Sequence, residues 1–176
     1  MTLLTNPDPI MLWQEVVKDA EQRCAVHLKH ELEAYLVSML SRFTNQPDIA
    51  NKLIAKEFLE AQLKKHPERY ISLQIVGDQC LIYAGLYPRQ AAKKLVKINY
   101  FVDLGRSAYA SVSRGTNDLF GSLAMQFVIL MDVLQCIRPD LGLLPLEAYE
   151  QWHLVGSKRA LRALQTYTNV IPFRLP

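Results

Sequence analysis

Apolar residues recur at intervals of three and four along most of this chain, which is the spacing that places them on one side of an α-helix. The pattern is found in residues 9–24, 27–43, 49–66, 99–114 and 145–167, and prolines or glycines interrupt the chain between several of these segments. Six or seven helices fit this punctuation. The sequence therefore predicts an all-α bundle.

The most apolar stretch runs from Leu119 to Ile137, and we expect it to be the central helix of the bundle. Its length is close to that of a membrane span, but Asp132 lies within it and no cluster of charges flanks it. A carboxylate inside a membrane is unfavourable, and flanking charges normally set the orientation of a span. The stretch therefore predicts a buried core helix and no transmembrane segment.

Residues 70–87 fit two structures. Ile71, Leu73 and Ile75 alternate with polar residues as in a β-strand, and Gly77 followed by Asp78 could form a hairpin turn. A lone hairpin is marginal without a further strand, and every other segment has helical spacing. We favour a helix here and keep a mainly α fold with one hairpin as the alternative.

The chain has 176 residues, of which 50% are hydrophobic and 21% are charged. This composition allows one sizeable core and excludes a disordered chain. We expect one helical domain over residues 1–167, followed by a C-terminal arm or tail over residues 168–176, where the helical period is lost. No signal pattern begins the chain, so the expected location is cytoplasmic.

The three cysteines are far apart and lack the paired spacing of zinc ribbons or redox dithiols. We expect reduced core thiols, and in particular inert thiols at Cys80 and Cys136, which lie in apolar segments. The 20 basic and 17 acidic residues give a net charge of +3, too small for a dedicated nucleic-acid binder. Neither a cofactor nor a specific nucleic-acid partner is predicted.

Isolated carboxylates inside apolar segments are the main candidates for a site, because a buried charge needs a partner. Asp103 and Arg106 lie three residues apart, and a tyrosine lies three residues to either side of them. This spacing predicts a polar seam between helices in which Asp103 acts as a base or ligand and Arg106 holds an anion; the alternative is a structural ion pair. The candidate cluster comprises Asp78, Tyr100, Asp103, Arg106, Tyr109 and Asp132.

Two further groups are weaker candidates. Glu150 and His153 have the Glu-x-x-His spacing of di-iron bundles, but it occurs only once, so a core or interface histidine is the competing interpretation. A basic group could bind anions if its two halves faced the same way, although charge runs usually form solvated faces. It comprises Lys93, Lys94, Lys97, Lys158, Arg159 and Arg162.

The chain contains no phosphate-binding loop, no serine nucleophile elbow, no zinc-protease motif and no dinucleotide fingerprint. Because catalytic motifs are sparse and apolar faces are abundant, the leading hypothesis is a non-enzymatic helical interaction module that forms a homodimer or binds another protein. The alternative is a small-ligand or metal-binding protein, or an enzyme, that uses the Asp/Arg/Tyr cluster. A second alternative is a peripheral binder of anionic partners.

Overall fold

The computed structural model describes residues 8–44, 54–93, 96–113, 118–138 and 142–170. Within these ranges the chain forms helices and no strand, which confirms the predicted all-α fold. The helices are α1 (Pro9–Cys24), α2 (His30–Thr44), α3 (Ile54–Leu63), α4 (Glu68–Leu86), α5 (Pro88–Lys93), α6 (Ile98–Val112), α7 (Leu119–Met125), α8 (Phe127–Ile137), α9 (Pro145–Val155) and α10 (Lys158–Gln165).

The described ranges contain ten helices where the sequence predicts six or seven, mainly because two predicted helices are divided. The apolar stretch bends by 74° at Gln126, between α7 and α8. The last predicted helix ends at Val155 because Gly156 has a left-handed φ of 75°. Ser157 then starts α10, and its Oγ accepts a hydrogen bond from the Ala160 N–H at 3.0 Å.

Residues 68–86 form the helix α4, so the hairpin alternative is wrong. Every residue from Val76 to Leu86 is buried, which leaves no solvated face of the kind that a hairpin would show. The alternation of Ile71, Leu73 and Ile75 with polar residues does not mark a strand, because all three lie in α4. Ile71 and Ile75 lie one helical turn apart and are both exposed, whereas Leu73 is buried.

The centre of the bundle is shared by α4 and α8. The helix α4 packs against α3, α6 and α8, and α8 also packs against α1. Residues 130–136 are buried as predicted, but α4 is buried over a longer run. Glycines permit the close approach of the helices at two crossings: a Cβ at Gly77 would lie 2.5 Å from the Tyr109 ring, and one at Gly105 would lie 2.5 Å from the Phe127 ring.

Two predicted helix starts are confirmed by their caps. Asp8 accepts the Ile10 N–H at 3.1 Å, and Asp118 accepts the Gly121 N–H at 2.8 Å. The start of the segment predicted at residue 49 lies outside the described residues. No single described helix has the length and apolar composition of a membrane span; α7 and α8 would meet that criterion only as a bent pair.

The helices α9 and α10 pack on each other and form a second, smaller apolar cluster beside the main core. Leu143 and Ala148 meet Trp152, Ala160 and Leu164 in this cluster. Four hydrogen bonds that are described below join this helical hairpin to α1 and α8. The C-terminal hairpin is therefore a distinct packing unit within the fold.

Candidate functional site

Asp78 lies at the junction of α2, α4 and α6, where its carboxylate has three partners. Its Oδ1 accepts hydrogen bonds from the hydroxyls of Tyr35 at 2.5 Å and Tyr109 at 2.7 Å. Its Oδ2 forms an ion pair with Arg42 at 3.2 Å, and the Arg42 side chain is half exposed. The Gln74 amide also donates to the Tyr35 hydroxyl at 3.3 Å. The structure thus gives Asp78 the partners that the sequence says it needs.

Burial raises the pKa of Asp78, against the opposing effects of the two tyrosine hydroxyls and of Arg42. Burial and the nearby carboxylate likewise raise the pKa values of Tyr35 and Tyr109, which keeps both phenols protonated as donors. Both carboxylate oxygens are engaged, and the cavity described below is not bordered by these residues. The Asp78 cluster therefore acts as a junction of three helices.

The predicted seam on α6 does not form. Tyr100, Asp103 and Arg106 are exposed, whereas Tyr109 is fully buried. Each step of three residues turns a helix about 60° short of a full turn, so three such steps carry the last side chain to the opposite side. Among the described ion pairs none joins Asp103 to Arg106, whose Nε donates to the Ala124 carbonyl at 3.1 Å instead.

Tyr100 and Asp103 border an open groove of about 370 Å³ together with Phe58, Asn99, Leu104 and Ser107. Tyr100 and Asp103 are solvated, and the groove contains none of the buried polar atoms that lack a partner. The groove is larger than the cavity described below, but nothing in its lining demands a ligand. It is therefore the weaker of the two candidate sites.

Asp132 belongs to a separate polar group between α8 and α10. Its Oδ1 accepts the Ser157 hydroxyl at 2.6 Å, and its Oδ2 accepts the Arg159 N–H at 3.5 Å. The Arg159 guanidinium donates to Gln135 Oε1 at 2.7 Å, and the Gln135 amide donates to the Ala84 carbonyl at 2.9 Å. The six candidate residues are therefore split over three places instead of converging on one.

The Asp132→Asn variant is expected to change how stability depends on pH. Burial raises the pKa of Asp132 to about 6, against the Ser157 hydroxyl and the Arg159 N–H, whereas its ordinary value is near 4. The stability gained by protonating Asp132 is fully present below about pH 4 and is lost as the pH rises through 6. The free energy of unfolding of the wild type, measured against that of the variant, should fall by roughly 2 kcal/mol between pH 4 and pH 7. Urea titrations at each pH test this, and parallel curves would contradict it.

The predicted anion-binding group is only partly open to solution. Lys97 and Lys158 are exposed, but Arg159 bonds Gln135, and Arg162 donates to the Cys24 carbonyl at 2.5 Å. The two arginines therefore hold α10 onto the bundle, which the sequence does not predict. Lys94 and the side chain of Lys93 lie outside the described residues.

The Glu150–His153 pair does not gather further ligands. His153 stacks on the ring of Tyr149 with 5.3 Å between centroids, and Glu150 borders the cavity described next. In the described part of the chain, no group of three histidine, cysteine or acidic side chains is arranged to hold a metal ion. His153 thus lies among aromatic rings beside Trp152, as the competing interpretation expects.

A cavity of about 290 Å³ lies where α5, α8 and α9 meet the segment that leads into α6. Its volume is at the small end of the range for ligand pockets, about 300 to 1,000 Å³. The lining combines apolar side chains with charged and amide side chains. The lining consists of Pro88, Arg89, Val96, Lys97, Ile98, Gln135, Gly142, Leu143, Glu147, Glu150 and Gln151.

Gln151 is the unusual member of this lining. The residue is only 5% exposed, yet its Oε1 has no hydrogen-bond partner among the described residues. Leaving a buried acceptor unpaired costs about 1 to 3 kcal/mol, and native proteins rarely do so without a reason. The other buried amide of the lining, that of Gln135, is paired at both ends. Gln151 Oε1 is therefore suited to receive a donor from a molecule in the cavity.

The charged residues of the cavity have two different roles. Arg89 Nε donates to Glu147 Oε1 at 3.0 Å, and its Nη2 donates to the Gly142 carbonyl at 3.1 Å. Burial alone would raise the pKa of Glu147. The hydrogen bonds from Arg89 and the Leu144 N–H outweigh burial, so the pKa lies below its ordinary value. The bonded side chains of Arg89 and Glu147 form part of the cavity wall. Lys97 and Glu150 are exposed and put one charge of each sign beside the cavity.

Comparison with family models, with curated proteins and with solved structures found no match to this chain. The function must therefore be inferred from the geometry of its side chains. Of the two cavities described, only the one beside Gln151 is bordered by a buried polar atom that has no partner among the described residues.

Proposed function

We propose that this protein binds a small organic molecule in the cavity between α5, α8, α9 and the segment before α6. The observation that carries this proposal is the buried Gln151 carbonyl oxygen, which lacks a partner in the described chain and borders the cavity. A hydroxyl or ammonium group of the ligand would pair with it. This pairing should contribute strongly to the binding free energy, because a buried acceptor that has no partner gains one when the ligand binds.

The remainder of the lining narrows the class of ligand. Val96, Ile98 and Leu143 offer an apolar wall for a small hydrocarbon body. Lys97 suits a carboxylate, and Glu150 suits an ammonium group, so that a small zwitterion with an apolar side group matches the cavity best. The proposed activity is binding, and no chemical step is assigned to it.

The test uses two matched variants, Gln151→Leu and Gln79→Leu. Both glutamines are buried, and each has an unpartnered amide atom in the described structure, but Gln79 lies on α4 and does not border the cavity. Replacing either with leucine removes an unsatisfied polar group, so each variant should fold at least as stably as the wild type. Only Gln151→Leu should lose ligand binding.

Thermal unfolding with free amino acids as zwitterionic probes measures the effect. A probe at a hundredfold excess over its Kd should raise the Tm of the wild type and of Gln79→Leu by about 5 to 10 °C. Gln151→Leu should show no such rise. Native mass spectra should show the same bound mass, and they also count subunits, which checks the self-association that stays a prediction from the sequence. Binding that survives in Gln151→Leu, or a wild type that retains no probe, rejects the proposal.

A further inference from the structure

Two cysteines that are far apart in sequence meet where α1 and α8 end. Cys24 is the last residue of α1, and Cys136 lies in the last turn of α8. The two helices pack together, both cysteines belong to the same buried cluster, and the two thiols are close enough to affect each other's ionisation. Both cysteines are unbridged in this structure. The sequence gives no sign of this pair, because neither cysteine has a neighbour at a dithiol spacing.

Arginines surround the pair. Arg23 donates to the Cys136 carbonyl at 3.0 Å, and Arg162 donates to the Cys24 carbonyl. Arg159 interacts with the Cys136 sulfur, while Asp132, one turn earlier on α8, opposes its ionisation. Both thiols thus lie at helix ends that three guanidinium groups from α1 and α10 hold in place.

The pair is chemically asymmetric. The interaction with the Cys24 thiol lowers the pKa of Cys136 to about 7, with further help from Arg159, although burial opposes this shift. The same contact and burial raise the pKa of Cys24. At neutral pH the first proton to leave the pair therefore comes from Cys136, and Cys24 remains the thiol. The proposal that follows departs from the prediction of an inert Cys136.

We propose that Cys24 and Cys136 are a redox dithiol, which a small peroxide oxidises to a disulfide that joins α1 to α8. The Cys136 thiolate attacks one oxygen of hydrogen peroxide, the O–O bond breaks, and a sulfenic acid and hydroxide form; the hydroxide takes up the proton that Cys136 released and becomes water. The Cys24 sulfur then attacks the sulfenic sulfur, and its proton and the hydroxyl leave as water. In sum, two thiols and one peroxide become one disulfide and two waters.

Access limits the oxidant to small molecules. Cys136 is 8% exposed and Cys24 only 1%, so a peroxide can reach the pair where a protein thiol could not. Cys80 supplies an internal comparison. It is fully buried, and burial alone raises the pKa of its thiol. Under the proposal Cys80 stays reduced while the other two cysteines react.

The experiment treats the reduced, folded full chain with hydrogen peroxide, alkylates it after unfolding, and maps the peptides by mass spectrometry. We expect one intramolecular bond between Cys24 and Cys136, the loss of two hydrogen atoms from the intact mass, and an alkylated Cys80. Between pH 6 and pH 8 the rate should rise about tenfold and then level off, as the thiolate fraction of a group with a pKa near 7 does.

The Cys80→Ser variant should form the same bond, and Cys136→Ser should form none. If Cys136→Ser does not fold, the peptide map of the wild type still decides, because Cys80 competes with the pair in the same molecule. A bond that involves Cys80, oxidation that stops at the sulfinic acid, or a Cys24–Cys136 bond that appears only after unfolding overturns the proposal.

Discussion

The Asp78→Ala variant is expected to lose about 3 to 4 kcal/mol of unfolding free energy, the largest effect of any substitution considered for this protein. The carboxylate is the shared acceptor of the hydroxyls of Tyr35 and Tyr109, which are both buried. Without it, each buried O–H donor loses its acceptor, at about 1 to 3 kcal/mol each. Arg42 is half exposed and can turn to water, so its share of the loss is small. Urea unfolding with a helical circular dichroism signal measures the difference.

Asp103→Ala is the matched control, because Asp103 is an exposed aspartate in the neighbouring helix α6, and its loss should change the free energy of unfolding by less than about 0.5 kcal/mol. A second comparison separates hydrogen bonding from packing. The triple variant Tyr35→Phe, Asp78→Leu, Tyr109→Phe removes the carboxylate and both buried hydroxyls together and should recover most of the loss. If Asp78→Ala is no less stable than Asp103→Ala, the carboxylate does not hold the three helices.

Gly105→Ala is expected to lower the free energy of unfolding by about 3 kcal/mol, because the added methyl group has no room. Its Cβ would lie 2.5 Å from two atoms of the Phe127 ring and 2.8 Å from the Cβ of Cys80. Phe127 and Cys80 are both fully buried, so neither can move without disturbing a helix crossing. Alanine is intrinsically the better helix former by about 1 kcal/mol, which offsets only part of the overlap.

Gly142→Ala serves as the control for this prediction. A Cβ at Gly142 would have no heavy atom within 4 Å, so the substitution should change the free energy of unfolding by less than about 0.5 kcal/mol. Chemical unfolding of both variants under one set of conditions makes the comparison. A Gly105→Ala variant that unfolds at the wild-type denaturant concentration would show that α6 can shift away from α4 and α8 at little cost.

The features that the sequence predicts correctly, such as where helices start, depend on residues that are neighbours in the chain. Asp8, and either Asn117 or Asp118, can be identified from the sequence as helix caps because a cap needs only a side-chain oxygen beside the first turn; the structure has Asp8 and Asp118. The bend at Gln126 cannot be identified in this way, since neither proline nor glycine marks the break. The sequence shows the apolar period of a segment, but where the segment turns depends on what it packs against.

The Asp78 cluster and the cavity beside Gln151 are harder to predict than the helices, because both depend on contacts between distant segments. The sequence indicates that Asp78 needs partners, but Tyr35 and Arg42 carry no signal beyond lying about two turns apart on one helix. Gln151 is harder still to foresee. A glutamine in a helix belongs to no motif, and only the fold shows that its carbonyl oxygen is both buried and unpartnered in the described structure. Buried polar atoms become informative only once their surroundings are known.

The separate apolar cluster of α9 and α10 has a consequence for partial unfolding. A unit with its own small core can detach at a lower free energy than the whole bundle, and its amides then exchange with solvent together. This hairpin provides Gln151 to the cavity and Arg162 to the Cys24 carbonyl. One opening event would therefore remove a wall of the cavity and release the end of α1. Ligand occupancy and thiol reactivity would then be linked through the same local equilibrium.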